Sequence, residues 1–531
     1  MARRRPRRWG VASPHPTATN AAAAVLESGG SAVDGALAAA GVLTVVYPHN
    51  CSVGGDLIAL VRQEGRSPKA VFGVGRSARA TDAEALRRSF GEHVPNHGPH
   101  SISVPGVVSG WQAMHELGGR LPLGQLLDPA VRLAADGAAV SGSVAAALCA
   151  LGSSDPGLDE IFGPPGKRLD LGEVVFQPRL AETLALVGTS PDSYYRGDLA
   201  RRLVSGLQAV GSPITLDDFA EHRAVVEEAT STDGGSVAPR LFTVGLPSQG
   251  VFFAALAKIV SRLSDEGYEL TGQDAGLLAR AFSAISGIRD ELLCDPARAP
   301  DPDRIRERIA GMELFGPAPS AGVVEGRQRD RTVSPSGDTV AVVTADESGN
   351  TVSLLQSVFH SFGSHILDPA TGVLFHNRQS MFTLRPGAPG ELGPGLMPPH
   401  TLCPTQVDMA DGRSSLVLST MGGRGQPQIL SQVLLQLAGG KTAADALSAP
   451  RFVVGSTDDA GSEVVVVAEQ DLPSEAVSSL VDGGFDVRTV GRLSDEMGHA
   501  QLLRVEDGGV FDAAADPRSD GVALLATRGI N

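Results

Sequence analysis

The sequence predicts an α+β protein, and three observations carry that prediction. An apolar, β-branched run at 339–343 is answered, across the turn Asp346-Glu347-Ser348-Gly349-Asn350, by a second such run at 351–357. That is the pattern of two antiparallel strands. Alanine-rich stretches at 20–27 and 32–40 have helical composition instead. Gly 64 and Pro 35 in 531 residues demand many turns, and with aromatics at 4% the core must be built from Ala, Val, Leu and Ile.

Each element has its local reason. The first helix stops at Gly29-Gly30, a C-terminal glycine signal. Ser31 caps the second, whose small residues allow close packing on a sheet. Gly54-Gly55-Asp56 turns the chain into the strand 57–61. A further apolar strand at 415–419 runs into Met421-Gly422-Gly423-Arg424-Gly425-Gln426-Pro427, and a helix is expected to start near Pro427. The stretch from about Pro296 to Ser336 has little periodicity beyond Met312 and reads as an exposed connector. The Gly/Pro-rich run 388–395 reads as a loop.

Composition narrows the function classes. A formal net charge of -16 argues against a nucleic-acid surface. Residues 1–10 hold the one basic run, Arg3 to Arg8, with no apolar segment behind it, and read as a disordered arm rather than a secretory signal. No apolar run is long enough to span a membrane. Cys51, Cys149, Cys294 and Cys403 lack disulfide or zinc spacing and read as reduced, buried thiols, which makes the cytoplasm the expected location. His93, His97 and His100 lie among Pro and Gly without a spaced carboxylate and read as a solvated loop, not a metal site. His360 and His365 flank Phe362-Gly363 and are open to either pocket lining or packing.

Several short blocks follow one another along the chain. They are Gly29-Gly30-Ser31-Ala32-Val33-Asp34, Pro48-His49, Gly54-Gly55, Gly75-Arg76, Val104-Pro105-Gly106, Tyr195-Arg196-Gly197-Asp198, Pro247-Ser248-Gln249-Gly250, Gly498-His499-Ala500 and Ala515-Asp516-Pro517. In this order they resemble the γ-glutamyltransferase family of N-terminal-nucleophile hydrolases, over roughly residues 11–525. The resemblance implies an αββα four-layer sandwich, two antiparallel sheets between helical layers. It also implies one chain cut into a large-subunit segment, 11–338, and a small-subunit segment, 339–531. The two fragments would stay together as a heterodimer within one αββα domain, with further dimerisation left open.

The resemblance assigns roles residue by residue. Cleavage would fall between Asp338 and Thr339. Alone, Gly337-Asp338-Thr339 is an ordinary strand start; after a cut, Thr339 would carry both hydroxyl and base. Its free α-amine, with a pKa of about 7.7–8.0, can take the hydroxyl proton. Ser357 matches the hydroxyl that supports the nucleophile, or is an ordinary strand-end serine. Gly422 and Gly423 match the oxyanion-binding pair, because amides without Cβ atoms can approach a developing charge. Arg76 matches the arginine that grips a substrate carboxylate. The loop 388–395 stands where the family carries a lid over the active site. No metal or organic cofactor is required.

The expected substrate pocket departs from the family. Met381, in Asn377-Arg378-Gln379-Ser380-Met381, stands where an acidic residue should hold the substrate ammonium. His400-Thr401 replaces the Ser-Ser pair that holds the carboxylate, and Phe359 replaces a contacting Asn. An ammonium beside Arg378 and Met381 would lose its hydration without a counter-charge. The Gln356-Ser357, His400-Thr401-Leu402 and Met421-Gly422-Gly423 variants look more like the acylase-like branch of the family. The sequence therefore supports an autoprocessing amidohydrolase or acyltransferase acting on a small-molecule amide, with water or an amine as acceptor. A γ-glutamyl acyl group and a glutaryl- or β-lactam-type acyl group are the two chemical readings. An uncut, non-catalytic scaffold is the reading from a different class.

Overall fold

The computed structural model describes residues 9–301, 305, 307–309, 338–455, 465–506 and 509–526. The basic residues Arg3 to Arg8, Gly337 and most of the connector before it lie outside these. Trp9 is buried and Gly10 opens the first strand, so the chain is already ordered inside the stretch expected to be an arm.

The main strands are β1 (Gly10–Ser13), β2 (Asp56–Arg62), β3 (Lys69–Gly73), β4 (Val225–Glu228), β5 (Thr230–Gly234), β6 (Ala238–Thr243), β7 (Asp338–Ala345), β8 (Thr351–Phe359), β9 (Thr405–Asp408), β10 (Ser415–Thr420), β11 (Ala500–Glu506), β12 (Gly509–Ala515) and β13 (Val522–Leu525). One sheet runs in the order β13-β1-β7-β8-β2-β3-β4 and the other β12-β11-β10-β9-β6-β5. All neighbours in both are antiparallel. The first sheet mixes strands from before and after residue 338, with β1 between β13 and β7 and β8 paired to β2, so a cut there leaves two fragments joined by continuous ladders.

Side-chain alternation along β7 sorts the layers. Val340 and Val342 face a large core shared with helices α1 (Pro16–Glu27), α2 (Ala32–Val46), α3 (Val107–Gly118), α4 (Leu123–Asp136) and α5 (Pro178–Thr189). Ala341 and Val343 face the other way, into the space between the sheets. There Ile58, Leu60, Phe72 and Leu355 meet Phe242 and Val244, and Val343 meets Val417 and Leu503. Beyond the second sheet, α6 (Gly250–Asp265) and α8 (Gln426–Ala438) pack on Leu241, Val407, Leu416 and Leu418. The helix α7 (Ala275–Leu292) joins α6 in a separate apolar cluster. The result is the expected αββα sandwich.

Helix α2 fixes the hairpin of β7 and β8. Every residue of it is buried, consistent with its apolar composition all round. Ser31 and Asp34 form a capping box, worth about 1 kcal/mol. Asp346, in the hairpin turn, accepts from Ala32 N at 3.0 Å and from Asn350 N at 3.1 Å. Thr344 Oγ1 donates to Ala32 O at 2.7 Å. The turn and the helix start are thus one hydrogen-bonded unit, and they set where Thr339 stands. Helix α8 begins at Gln426 with Pro427 in its first turn, as expected.

Other expectations need correction. Cys149 is exposed, whereas Cys51, Cys294 and Cys403 are buried. The histidine loop is only partly solvated: His93 and His100 are half-buried and His97 stacks on His365 at 3.8 Å. The run 388–395 is a loop, as expected, and it is tied down. Ser77 Oγ donates to Gly393 O, Arg76 Nη1 donates to Gly395 O at 3.0 Å, and Arg87 pairs with Glu391 at 2.9 Å. No helix among the described residues is long and apolar enough to cross a membrane.

Candidate active site

Thr339, Ser357 and Asp56 form one row across three neighbouring strands. In the ladders Thr339 pairs with Ser357, and Ser357 pairs with Asp56. Paired residues project on the same face, so all three point into the space between the sheets, at its edge. Thr339 and Asp56 are buried, and Thr339 Oγ1 donates to Ser357 Oγ at 3.1 Å. In the continuous chain Thr339 N is still a peptide nitrogen.

The end of β8 is bent to serve this row. A bulge separates Ser357 from Phe359, which pairs with Asp338. Phe359 has φ 79, a left-handed conformation that costs a side-chain-bearing residue roughly 1–3 kcal/mol. Two contacts hold it there: its N–H donates to Ser357 Oγ at 2.9 Å, and the Arg378 guanidinium lies 4.2 Å over its ring. That is a cation–π contact. Asn377 N donates to Val358 O at 3.1 Å, which carries Arg378 over the bulge.

Asp56 organises the floor. Its Oδ2 lies 3.2 Å from His376 Nδ1, 3.4 Å from His400 Nε2 and 3.6 Å from Arg378 Nε, all fully buried. These are ion-pair distances rather than well-aligned hydrogen bonds. Gly55 makes the approach possible: a Cβ there would meet Ser357 O at 2.4 Å. His376 Nε2 faces Ser103 O at 2.9 Å, so both of its ring nitrogens face acceptors. His400 Nδ1 accepts from Thr401 N at 3.0 Å, which leaves Nε2–H toward Asp56. Burial pushes the Asp56 carboxyl up, but His376 and His400 outweigh it and hold Asp56 well below the usual carboxylate range. Burial, helped by Arg378, lowers His400 to about 3, so its imidazole is neutral. Burial also lowers Arg378, to about 10, against the pull of Asp56; it remains cationic at neutral pH.

The glycine turn joins from the other sheet. Gly422 has φ 140 and Gly423 has φ 49. A Cβ on Gly422 would meet Ile429 Cδ1 at 2.4 Å. Among the described residues neither N–H has a protein acceptor, so both are free to serve an oxyanion. Gln249 ties this turn to the floor. Its Nε2 donates to Gly423 O at 2.9 Å and to Thr401 O at 2.6 Å, and Arg289 Nη1 donates to its Oε1 at 3.2 Å.

Most expected site residues therefore belong to one connected network: Thr339, Ser357, Phe359, Arg378, His400, Thr401 and Gly423, with Gly422 adjoining. The side chain of Asp338 is not among the described ones. Two residues sit apart from the expected ammonium pocket. Met381 is half-buried and packs on the apolar cluster of α6 and α7. Arg378 turns inward to Asp56, so the two do not form a shared ligand subsite. Arg76 stands at the rim, half-exposed, with Nη1 3.4 Å from the buried Asp295. The preceding residue, Gly75, points its N–H at Asp56 Oδ1 at 3.5 Å.

Sequence reasoning missed Asp56, His376 and Gln249. Asp56 directly follows the block Gly54-Gly55 and Gln249 lies inside the block Pro247-Ser248-Gln249-Gly250, and those placements were the available signal.

Buried neutral histidines make stability depend on pH. His49, His360 and His400 are lowered to about 3, and His222 and His365 to about 4, each chiefly by burial. Their unfolded values are about 6.5. Between those limits the unfolded chain binds more protons, so stability is full above pH about 6.5 and falls as pH drops toward 4. The melting temperature should decline steadily from pH 7 to pH 4.5 in thermal-shift measurements; a flat profile would contradict the neutral-histidine assignment.

Two antiparallel sheets between helical layers, with a threonine at the edge of the inter-sheet space, define the architecture of an N-terminal-nucleophile hydrolase. The family model described as Gamma-glutamyltranspeptidase matches residues 18–526. The chain belongs to that family, and as a member it is an N-terminal-nucleophile amidohydrolase. It is 33% identical to the oxamate amidohydrolase proenzyme of Klebsiella pneumoniae, over 96% of this chain and 97% of that one. It is 34% identical to the glutathione hydrolase-like YwrD proenzyme of Bacillus subtilis, over 97% and 98%. The crystal structure of cephalosporin acylase from Bacillus halodurans superposes with a TM-score of 0.85 at 27% identity, covering 99% of this chain and 97% of that one.

Proposed function

We propose that the chain cuts itself between Asp338 and Thr339 and then hydrolyses a small amide through Thr339. The observation that carries this is the buried Thr339 Oγ1 at 3.1 Å from Ser357 Oγ, in a row that ends on Asp56. In the precursor, Thr339 Oγ1 attacks the Asp338 carbonyl, the peptide bond becomes an ester, and water opens it. The released α-amine then takes the Oγ1 proton as the hydroxyl attacks the substrate amide. Gly422 and Gly423 N–H groups receive the oxyanion. The proton passes to the departing nitrogen. Water, deprotonated by the same amine, releases the acid and restores the hydroxyl. Each oxyanion donor is worth about 10²–10³ in kcat.

The acyl group is read from what surrounds the nucleophile. Arg378 in the floor, and Met381 packed elsewhere, disfavour a substrate ammonium. The amidohydrolase and acylase names among the relatives support an acyl group other than γ-glutamyl. The glutathione hydrolase-like relative favours the second reading, a γ-glutamyl compound. Release of p-nitroaniline from glutaryl-p-nitroanilide and γ-glutamyl-p-nitroanilide separates them. The glutaryl compound, identical but for the α-ammonium, should be cleaved faster; a clear preference for the γ-glutamyl compound would reverse the assignment.

A further inference from the structure

We infer that Arg378 is the receptor for a substrate carboxylate set close to the scissile carbonyl, so the site selects monoamides of short dicarboxylic acids. The inference rests on Thr339 being the hydrolytic nucleophile and names the substrate class of that site.

The guanidinium is fully buried and only partly used. Nε faces Asp56, and Nη2 lies 3.5 Å from Ser357 Oγ. Nη1 is buried with no hydrogen-bond partner among the described residues. A buried donor left unpaired carries its full desolvation cost, and a carboxylate would remove that cost. Asp56 cannot do so, because its Oδ2 is already shared by His376, His400 and Arg378 Nε. The guanidinium carbon also lies 4.2 Å over the Phe359 ring, a contact that restrains its direction.

Reach fixes the length of the acyl group. One hydroxyl, that of Ser357, separates the guanidinium from Thr339 Oγ1. A carboxylate on Arg378 therefore belongs to a molecule whose reacting carbonyl lies directly beside it or one methylene away. Arg76 is the alternative anchor for a longer chain, but its Nη1 is already engaged by Asp295 and Gly395 O, and it is half-exposed. Access follows from cleavage. Phe359, which supports Arg378, pairs with Asp338 in the ladder, and a cut after Asp338 removes the chain continuity that holds that partner in place.

The test uses the cleaved wild-type protein with the monoamides of oxalic, malonic, succinic and glutaric acid, and the methyl ester of each. kcat/KM should be highest for the oxalic or malonic compound and should fall with each added methylene. Each acid should exceed its ester, and free oxalate should inhibit more strongly than free glutarate. In Arg378→Met and Arg378→Lys, the acid-over-ester ratio for the shortest substrate should drop about 100-fold in Met and less in Lys. The wild-type series and the inhibition data stand even where Arg378→Met fails to fold. A preference for glutaric monoamide, or an unchanged ratio in a folded Arg378 variant, overturns the Arg378 assignment alone. Cleaved protein that hydrolyses none of the acids or esters overturns the assignment of Thr339 as well.

Discussion

Thr339→Ala is expected to remain a single chain of full length on denaturing electrophoresis and to hydrolyse no amide. Alanine removes the hydroxyl that must attack the Asp338 carbonyl, and with it the nucleophile of the later reaction. The fold should survive. Among the described residues the Thr339 side chain makes one hydrogen bond, to Ser357, and its strand is held by Val340, Val342 and Val343 in two cores. A net loss of about 1 kcal/mol is the scale of one such bond. Thr339→Ser keeps a hydroxyl and should still be cut, more slowly. A Thr339→Ala chain that appears as two fragments would show that cleavage depends on another residue.

Asp56→Ala is expected to be the most destabilising single change in the site. It leaves the fully buried Arg378 without a carboxylate partner among the described residues and removes the anion beside His376 Nδ1 and His400 Nε2. Breaking a buried charge pair from one side costs about 3–5 kcal/mol. Asp56→Asn should not rescue the charge, and one orientation of its amide would set N–H groups against the same donors. Denaturant midpoints should fall in both variants. Processing should slow as well, because Arg378 also supports Ser357 and Phe359. An unchanged midpoint in Asp56→Asn would mean that the floor is not held by that charge.

The sequence was most informative where the relevant contacts are local. The turn at 346–350 sets the register of β7 on β8, and that register puts Thr339 opposite Ser357. Ser31 and the glycines at 29–30 bounded the helix beneath them. The floor of the site was not legible, because Asp56 lies far along the chain from His376, Arg378 and His400 and meets them only through sheet pairing and loop packing. Arg378 shows the limit well. Its place in the family's motif suggested a side chain facing the substrate together with Met381. The bulge after Ser357 and the pull of Asp56 keep it beside Ser357, while Met381 parts from it and joins an apolar cluster. Cys149 fails for a simpler reason: its helix, Gly142–Ala150, buries only Val144 and Leu148.

The most direct measurement is the N-terminal sequence and intact mass of the fragments of the purified wild-type protein. A small fragment that begins Thr339-Val340-Ala341-Val342, beside a large one ending at Asp338, is the predicted result. A protein that hydrolyses amides while remaining uncut, or that is cut to expose a different residue, would contradict the assignment of Thr339 as nucleophile.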